Sequence, residues 1–305
     1  MIARAQAVEL LADPAAWAAV LIGLFVLLLA GLALGLYWFE THGEVLWRLA
    51  ARVWRPIAGS APAVRARQRY PRMWRLLSSR LSPQHYLGLH LTLGLAVSVC
   101  ALAFFAVIAV DVPDREQLIV VDDVVFNTLR ENATEPGTRA LAAISRLGDG
   151  ETLAVLGFIG AVGLAVARRR TILIGWVAAL AGAFLLDATL KPLFQRVRPE
   201  GASDVLGSMT WSFPSGHALS SLIAYGMLAY LAVAFFRSRL ARAAVIAGAA
   251  VLVLAIGLSR LYLGVHYFTD VVAGFAAGAV WLSACVSGLE VARRRRLSST
   301  RDLGS

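Results

Sequence analysis

Of the 29 basic residues in this 305-residue chain only one is a lysine, Lys191. Charge of any sign is scarce, at 16% of residues, while apolar types reach 59% and the mean hydropathy is +0.70. That balance excludes an ordinary soluble domain, which would have no polar surface to cover it. Cysteine is almost missing. Cys100 and Cys285 each fall inside an apolar run, so they read as small core residues and not as a disulfide pair. No cysteine and histidine spacing suits a metal, no glycine-rich loop suits a nucleotide, and no internal repeat is visible. His42, His85 and His90 are expected at an interface or within a bundle. Acidic residues number 19, leaving a formal net charge of +10 that membrane topology accounts for without a nucleic-acid partner.

What is abundant is long hydrophobic sequence. A bilayer core of roughly 30 Å needs about 20 apolar residues in a helix. Seven runs qualify: Ala15 to Phe39, Tyr86 to Val110, Thr152 to Ala167, Thr171 to Leu190, Ala218 to Phe236, Ala243 to Leu258 and Thr269 to Leu289. The third and sixth are short and are expected to extend, the third back over Leu147 to Glu151 and the sixth on to Arg260. The runs are continuously apolar and do not alternate, which favours helices over a barrel. The expected fold is an all-α polytopic membrane bundle. A cleaved signal peptide is the alternative for the first run, against which stand its length and its single n-region arginine, Arg4.

Arginines set the expected orientation. They cluster between Glu40 and His85, at Arg168 to Arg170, at Arg237 to Arg242 and at Arg293 to Arg296. Threading seven helices puts all four clusters on one side, which should be cytoplasmic. Val45 to Ile57 and Met73 to Leu81 carry apolar and arginine residues at helical spacing, as a leaflet-lying segment does, or serve only as topology signal. The opposite, extracytoplasmic side then receives the loop from Asp111 to Asp149, with room for a surface helix over Gln117 to Leu129, and three polar clusters.

In the first cluster Lys191, Gln195 and Arg198 are spaced to share one face of a helical extension, with Pro192 tolerated in a first turn. An isolated ammonium among guanidiniums marks a place where a compact point charge suits the chemistry. Alone, the cluster also fits a juxtamembrane pair reaching for water. The second cluster, Pro214-Ser215-Gly216-His217, opens the fifth run. Free N–H groups at a helix start, a hydroxyl and a glycine make a phosphate cradle, or else an ordinary serine cap. In the third, Ser259-Arg260 precedes His266 and Asp270, which lie four apart and share a face if the last helix begins early. A carboxylate beside an imidazole fixes its tautomer and frees the other nitrogen as base or nucleophile. Asp187, one turn before Lys191, needs a partner at that depth, and Lys191 or a bundle arginine is expected to supply it. Trp211 and Phe213 read as interfacial anchors.

Three cations, a ring of N–H donors and two histidines on one membrane face suit a dianionic phosphoryl group, whose slow hydrolysis calls for preorganised positive charge. Lys191-(six residues)-Arg198-Pro199, Pro214-Ser215-Gly216-His217 and Ser259-Arg260-(five residues)-His266-(three residues)-Asp270 resemble, without a departure, the tripartite signature of the type 2 phosphatidic acid phosphatases. The signature spans about a quarter of the chain. The resemblance implies a six-helix catalytic core over residues 86–290, preceded by a first helix and arginine-rich connection (1–85) and followed by a basic tail (291–305). It implies that His266 attacks phosphorus, that Asp270 orients it, and that His217 protonates the leaving oxygen and then activates water. Lys191, Arg198 and Arg260 would bind phosphoryl oxygens with Ser215 and the Gly216 amide, and Ser259 would only support.

The expected protein is thus a multi-pass phosphatase of the inner or plasma membrane. It takes a lipid phosphate such as phosphatidate, phosphatidylglycerophosphate, undecaprenyl diphosphate or a lipid A phosphate, and uses no metal or other cofactor. A phosphotransferase with the same intermediate, or a lipid-phosphate transporter without turnover, are the alternatives.

Overall fold

The computed structural model describes residues 60, 64–65, 68–70, 86–114, 118–202 and 211–302, with side chains over these stretches except 86–93, 111–114, 118–120 and 294–302. The first predicted run and the two arginine-rich amphipathic stretches lie outside the described residues. From Tyr86 onward the described residues form eight helices and no strand: α1 (Tyr86–Asp114), α2 (Leu118–Glu131), α3 (Glu135–Arg146), α4 (Gly150–Val166), α5 (Arg170–Phe194), α6 (Gly216–Val233), α7 (Arg239–Tyr262) and α8 (Phe268–Asp302).

Five stretches, Glu135–Val166, Arg170–Phe194, Gly216–Val233, Arg239–Tyr262 and Phe268–Arg293, are long and apolar enough to cross a bilayer, and Gly94–Val110 of α1 is a shorter apolar stretch. They coincide with the second to seventh predicted runs. The two short runs gain residues at the expected ends, α4 starting at Gly150 and α7 continuing to Tyr262. The loop helix foreseen near Gln117 to Leu129 is α2. Polar residues start several helices: Thr134 accepts from Gly137 N at 3.2 Å for α3, and Ser238 accepts from Ala241 N at 3.5 Å for α7.

α8 lies against α1, α5 and α6, and α6 also packs on α4, α5 and α7. The core between α5, α6 and α8 is built from Trp176, Ala179, Ala183, Leu219, Ile223, Met227 and Leu289. Its two indoles spend their N–H groups on backbone carbonyls, Trp176 on Gly157 at 2.9 Å and Trp281 on Ala179 at 3.1 Å, so neither leaves an unpaired donor in an apolar interior. Outward faces carry exposed Val107, Phe158, Ile174 and Phe184, an apolar surface suited to acyl chains. Cys100 is exposed, so it faces outward and is not core.

The end of the bundle that matters gathers the C-terminal ends of α5 and α7 with the N-terminal ends of α4, α6 and α8. α2 and α3 lie across it, linked to α7 through Thr134 N donating to Tyr262 Oη at 2.8 Å. Phe213 is fully buried there, edge-on to Phe194 at 4.9 Å and close to Phe105. It closes an aromatic cluster between α1 and the loop before α6, which corrects the expectation of an interfacial anchor. Trp211, by contrast, is exposed.

Candidate active site

The first polar cluster is not one helical face. α5 stops at Phe194, with Pro192 inside its last turn and Gln195 in the left-handed region at φ 47°. Proline lacks the N–H for an i−4 bond, so inside α5 Pro192 weakens the last turn, and the helix ends two residues later at Phe194. Residues 196–198 then lie outside any helix, and Arg198 reaches the site from this connection. Lys191 remains on the helix, its Nζ 2.8 Å from Asp187 Oδ2, the partner anticipated for that carboxylate. Asp187 Oδ1 is buried without a hydrogen bond and sits directly against Gly216, where a Cβ would collide with it. A side chain at 216 would therefore displace the carboxylate that pairs with the lysine.

His266 precedes α8, which begins at Phe268, so His266 and Asp270 meet through the first turn and not along a continuous helical face. The imidazole Nδ1 lies 3.4 Å from Asp270 Oδ2, and its Nε2 lies 3.0 Å from Arg198 Nη1. A guanidinium can only donate. Nε2 must then be the accepting nitrogen, which places the proton on Nδ1, facing the carboxylate. The lone pair of Nε2 thus faces the cation of Arg198. His266 is almost wholly buried, and burial pushes its pKa down to about 3, with Arg198 and Arg260 adding to the fall and Asp270 opposing it. The ring is neutral at physiological pH. Burial likewise lowers Arg198 from its ordinary value, against Asp270 and Asp187, so its charge gains from a bound anion.

His217 starts α6 and its Nε2 is 2.8 Å from Asp149 Oδ1. Asp149 occupies the N-cap position of α4 but makes no capping bond, its side chain being used by the histidine. Arg260 is buried at the end of α7, donating from Nη1 to Ser145 Oγ at 2.6 Å, while its Nε has no partner. Ser215 is fully buried: its hydroxyl accepts from Ala218 N at 3.5 Å and its N–H donates to Asp270 O at 2.9 Å, tying α6 to α8. Ser259 donates to Ile256 O at 2.6 Å within its own helix.

Residues that spacing did not single out complete the arrangement. Ser212 donates a short hydrogen bond to Asp270 Oδ2, which also accepts from Tyr267 N at 2.9 Å. Arg196, two residues before Arg198, donates to Asp270 Oδ1 at 2.6 Å and to Asp122 Oδ2 at 2.6 Å, and lies 4.4 Å over the Tyr267 ring. Burial alone would lower Arg196, but Asp270 and Asp122 outweigh it and its pKa ends above the ordinary value. One sequence signal pointed this way, a pair of aspartates, Asp122 and Asp123, inside the apolar run of α2. Among the described residues no group of three or more histidine, cysteine or acidic side chains forms a metal site.

The family model of the PAP2 superfamily matches residues 171–294. A decaprenylphosphoryl-5-phosphoribose phosphatase of Mycobacterium tuberculosis is 34% identical over 147 residues, covering 46% of this chain and 73% of the relative. The chain belongs to the PAP2 superfamily. Phosphatidylglycerophosphatase B of Bacillus subtilis is 41% identical over 97 residues, 31% of this chain, and the match spans only 46% of that relative's length. In three dimensions the chain is similar to a transmembrane PAP2-type phosphatidylglycerolphosphate phosphatase from Bacillus subtilis, with a TM-score of 0.55 at 26% identity, covering 62% of this chain and 93% of the other. This PAP2 chain is accordingly a membrane protein with the helical architecture its hydrophobic runs imply. Lys191, Arg198, His217, Arg260, His266 and Asp270 all fall inside the family match, whereas Asp122, Ser145 and Asp149 fall outside it.

Proposed function

We propose that this PAP2 protein is a lipid phosphatase that hydrolyses a terminal phosphate of a membrane lipid through a phosphohistidine on His266. The observation that carries the reading is the His266 ring, with Nδ1 toward Asp270 and Nε2 toward Arg198. Nε2 forms a bond to phosphorus while the bond from phosphorus to the leaving oxygen breaks. His217, oriented by Asp149, gives that oxygen a proton. Water then attacks phosphorus, the P–N bond breaks, His217 accepts the proton from water and phosphate departs. Lys191, Arg198, Arg260 and the Gly216 amide stabilise the phosphoryl oxygens, the role a metal ion serves in other phosphatases. The unpartnered Nε of buried Arg260 supports a place for an acceptor there. In this reading Ser215 acts by holding the cradle's backbone.

The membrane involved is the inner or plasma membrane, with the site on the extracytoplasmic side and a cytoplasmic C-terminus, as the arginine distribution supports. The relatives are named for phosphatidylglycerophosphate and decaprenylphosphoryl-5-phosphoribose. Both belong in a substrate panel beside phosphatidate and undecaprenyl diphosphate. Purified protein with EDTA present is expected to release phosphate from at least one of these. His266→Ala is expected to lower turnover by ~1,000-fold or more. Full turnover in that variant would overturn the mechanism, and strict magnesium dependence would overturn the metal-free assignment.

A further inference from the structure

Arg196 and Asp122 take no part in the steps above, yet they are buried and bonded to each other and to α8 at this end of the bundle. We propose that Arg196, held by Asp122, is a positioning residue that keeps the His266–Asp270 pair free of an additional proton, so that His266 remains a neutral nucleophile. The inference rests on the assignment of His266 as nucleophile.

Arg196 spans two carboxylates from different helices, Asp270 of α8 and Asp122 of α2, one on each terminal nitrogen at 2.6 Å. Its side chain is 12% exposed, and those of the two acids are 2% and 0% exposed, so water does little to screen them. Asp122 is fixed in turn: Oδ1 accepts from Thr269 N at 2.9 Å and Oδ2 from Thr269 Oγ1 at 2.6 Å, beside the histidine it influences. Thr269 Oγ1 also accepts from Arg196 Nη1 at 2.8 Å. The planar fork offers each acid its own terminal nitrogen in a fixed geometry, which the single nitrogen of a lysine does not.

The charged groups facing His266 are Arg198 from the α5–α6 connection, Arg260 from α7 and Asp270 from α8, with Ser212 on the same imidazole nitrogen as Asp270. Arg196 stands behind Asp270, and Asp122 of α2 behind Arg196. Remove Arg196 and two buried carboxylates face each other with no cation between them. Such a cluster draws a proton from solvent. If the proton settles on Nε2, the lone pair needed for the P–N bond is gone. If it settles on Asp270, the carboxylate no longer accepts from Nδ1–H, and the His266 Nδ1 resonance moves at the same pH. Either way the nucleophile is lost at a pH where the native protein retains it.

The test uses the full chain in detergent with ¹⁵N-labelled histidine, the His266 resonances being those missing from His266→Gln. In the native protein His266 is expected to stay neutral from pH 8 to below about pH 5. In Arg196→Gln proton uptake should rise by about one pH unit or more relative to the native protein. Adding Asp122→Asn to Arg196→Gln should bring it part of the way back, since one stranded carboxylate is gone, whereas damage that was merely structural would accumulate. Asp122→Asn alone should give no upward shift. The ratio of kcat/KM at pH 4 to that at pH 8 should fall about two-fold or more further in Arg196→Gln than in the native protein, as it must when a proton uptake near pH 3 moves up by about one unit, the substrate's own ionisation cancelling in the comparison. A His266 titration in Arg196→Gln that matches the native one overturns the proposal. Should that variant not fold, the double variant is titrated in its place, and a His266 titration unmoved from the native one there overturns the proposal equally. Native protein that releases no phosphate while the titration moves as expected overturns the phosphatase reading and leaves the clamp standing. An active enzyme with unmoved titration overturns the clamp alone.

Discussion

His217 and His266 differ in what surrounds them, and the difference suits the two roles proposed for them. His266 is enclosed, oriented through Nδ1 and neutral, while His217 is partly open and paired with a half-exposed Asp149. A carboxylate so placed holds the imidazole toward the site, the orientation that the proposed proton donor to a leaving alkoxide requires. Asp149→Asn is therefore expected to slow lipid phosphate hydrolysis by about 100-fold and to slow p-nitrophenyl phosphate hydrolysis by less than about five-fold, because that leaving group departs without a proton. Steady-state rates on the two substrates decide it, and equal losses would refute the role. Asp149 was not legible in the sequence as His217's partner. It is 68 residues away, and spacing reports only neighbours on one element. The same holds for Arg196 and Asp122, 74 residues apart, although the motif ran straight through Arg196.

At the scale of elements, the site depends on how closely α6 and α8 approach. A Cβ at Gly274 would stand 2.6 Å from the backbone oxygen of Ser215, and one at Gly278 would stand 3.0 Å from that of Leu219. Backbone cannot yield as a side-chain tip can, so Gly274→Ala should push α8 from α6 and strain the Ser215 N–H bond to Asp270 O. The expected cost is about 1–3 kcal/mol, with a matching loss of activity. Gly248, in the middle of α7, has nothing within 4 Å of its missing Cβ, and Gly248→Ala should stabilise by up to about 1 kcal/mol through helix propensity. Thermal unfolding in detergent distinguishes the two, and equal shifts would show that the approach is not tight. The helices were legible because a lipid-facing helix must be apolar along its whole length. The end of α5 was not, since Lys191, Gln195 and Arg198 fit a helical face equally well on paper. Pro192 and the left-handed Gln195 decide it.

For the molecule as a whole, the remaining question is which way the bundle faces. The ends carrying Lys191, His217, Arg260 and His266 lie together, and the arginine clusters at Arg168 to Arg170 and Arg237 to Arg242 belong to the opposite ends of those same helices. In a Cys100→Ser, Cys285→Ser background, Glu200→Cys should be labelled by an impermeant thiol reagent from outside whole cells, and Ser238→Cys only after permeabilisation. The reverse pattern would move the site to the cytoplasm.

The sequence by itself determined that this is a helical membrane protein, roughly where six of its apolar helices lie, and which three segments carry polar chemistry. Those properties follow from composition, length and local spacing, which the solvent of a bilayer constrains directly. Only the tertiary structure decided which nitrogen of His266 faces Arg198, which carboxylate each histidine meets and what lies against Gly216. These are contacts between helices far apart in the chain, and they exist only once packing has brought the same ends together.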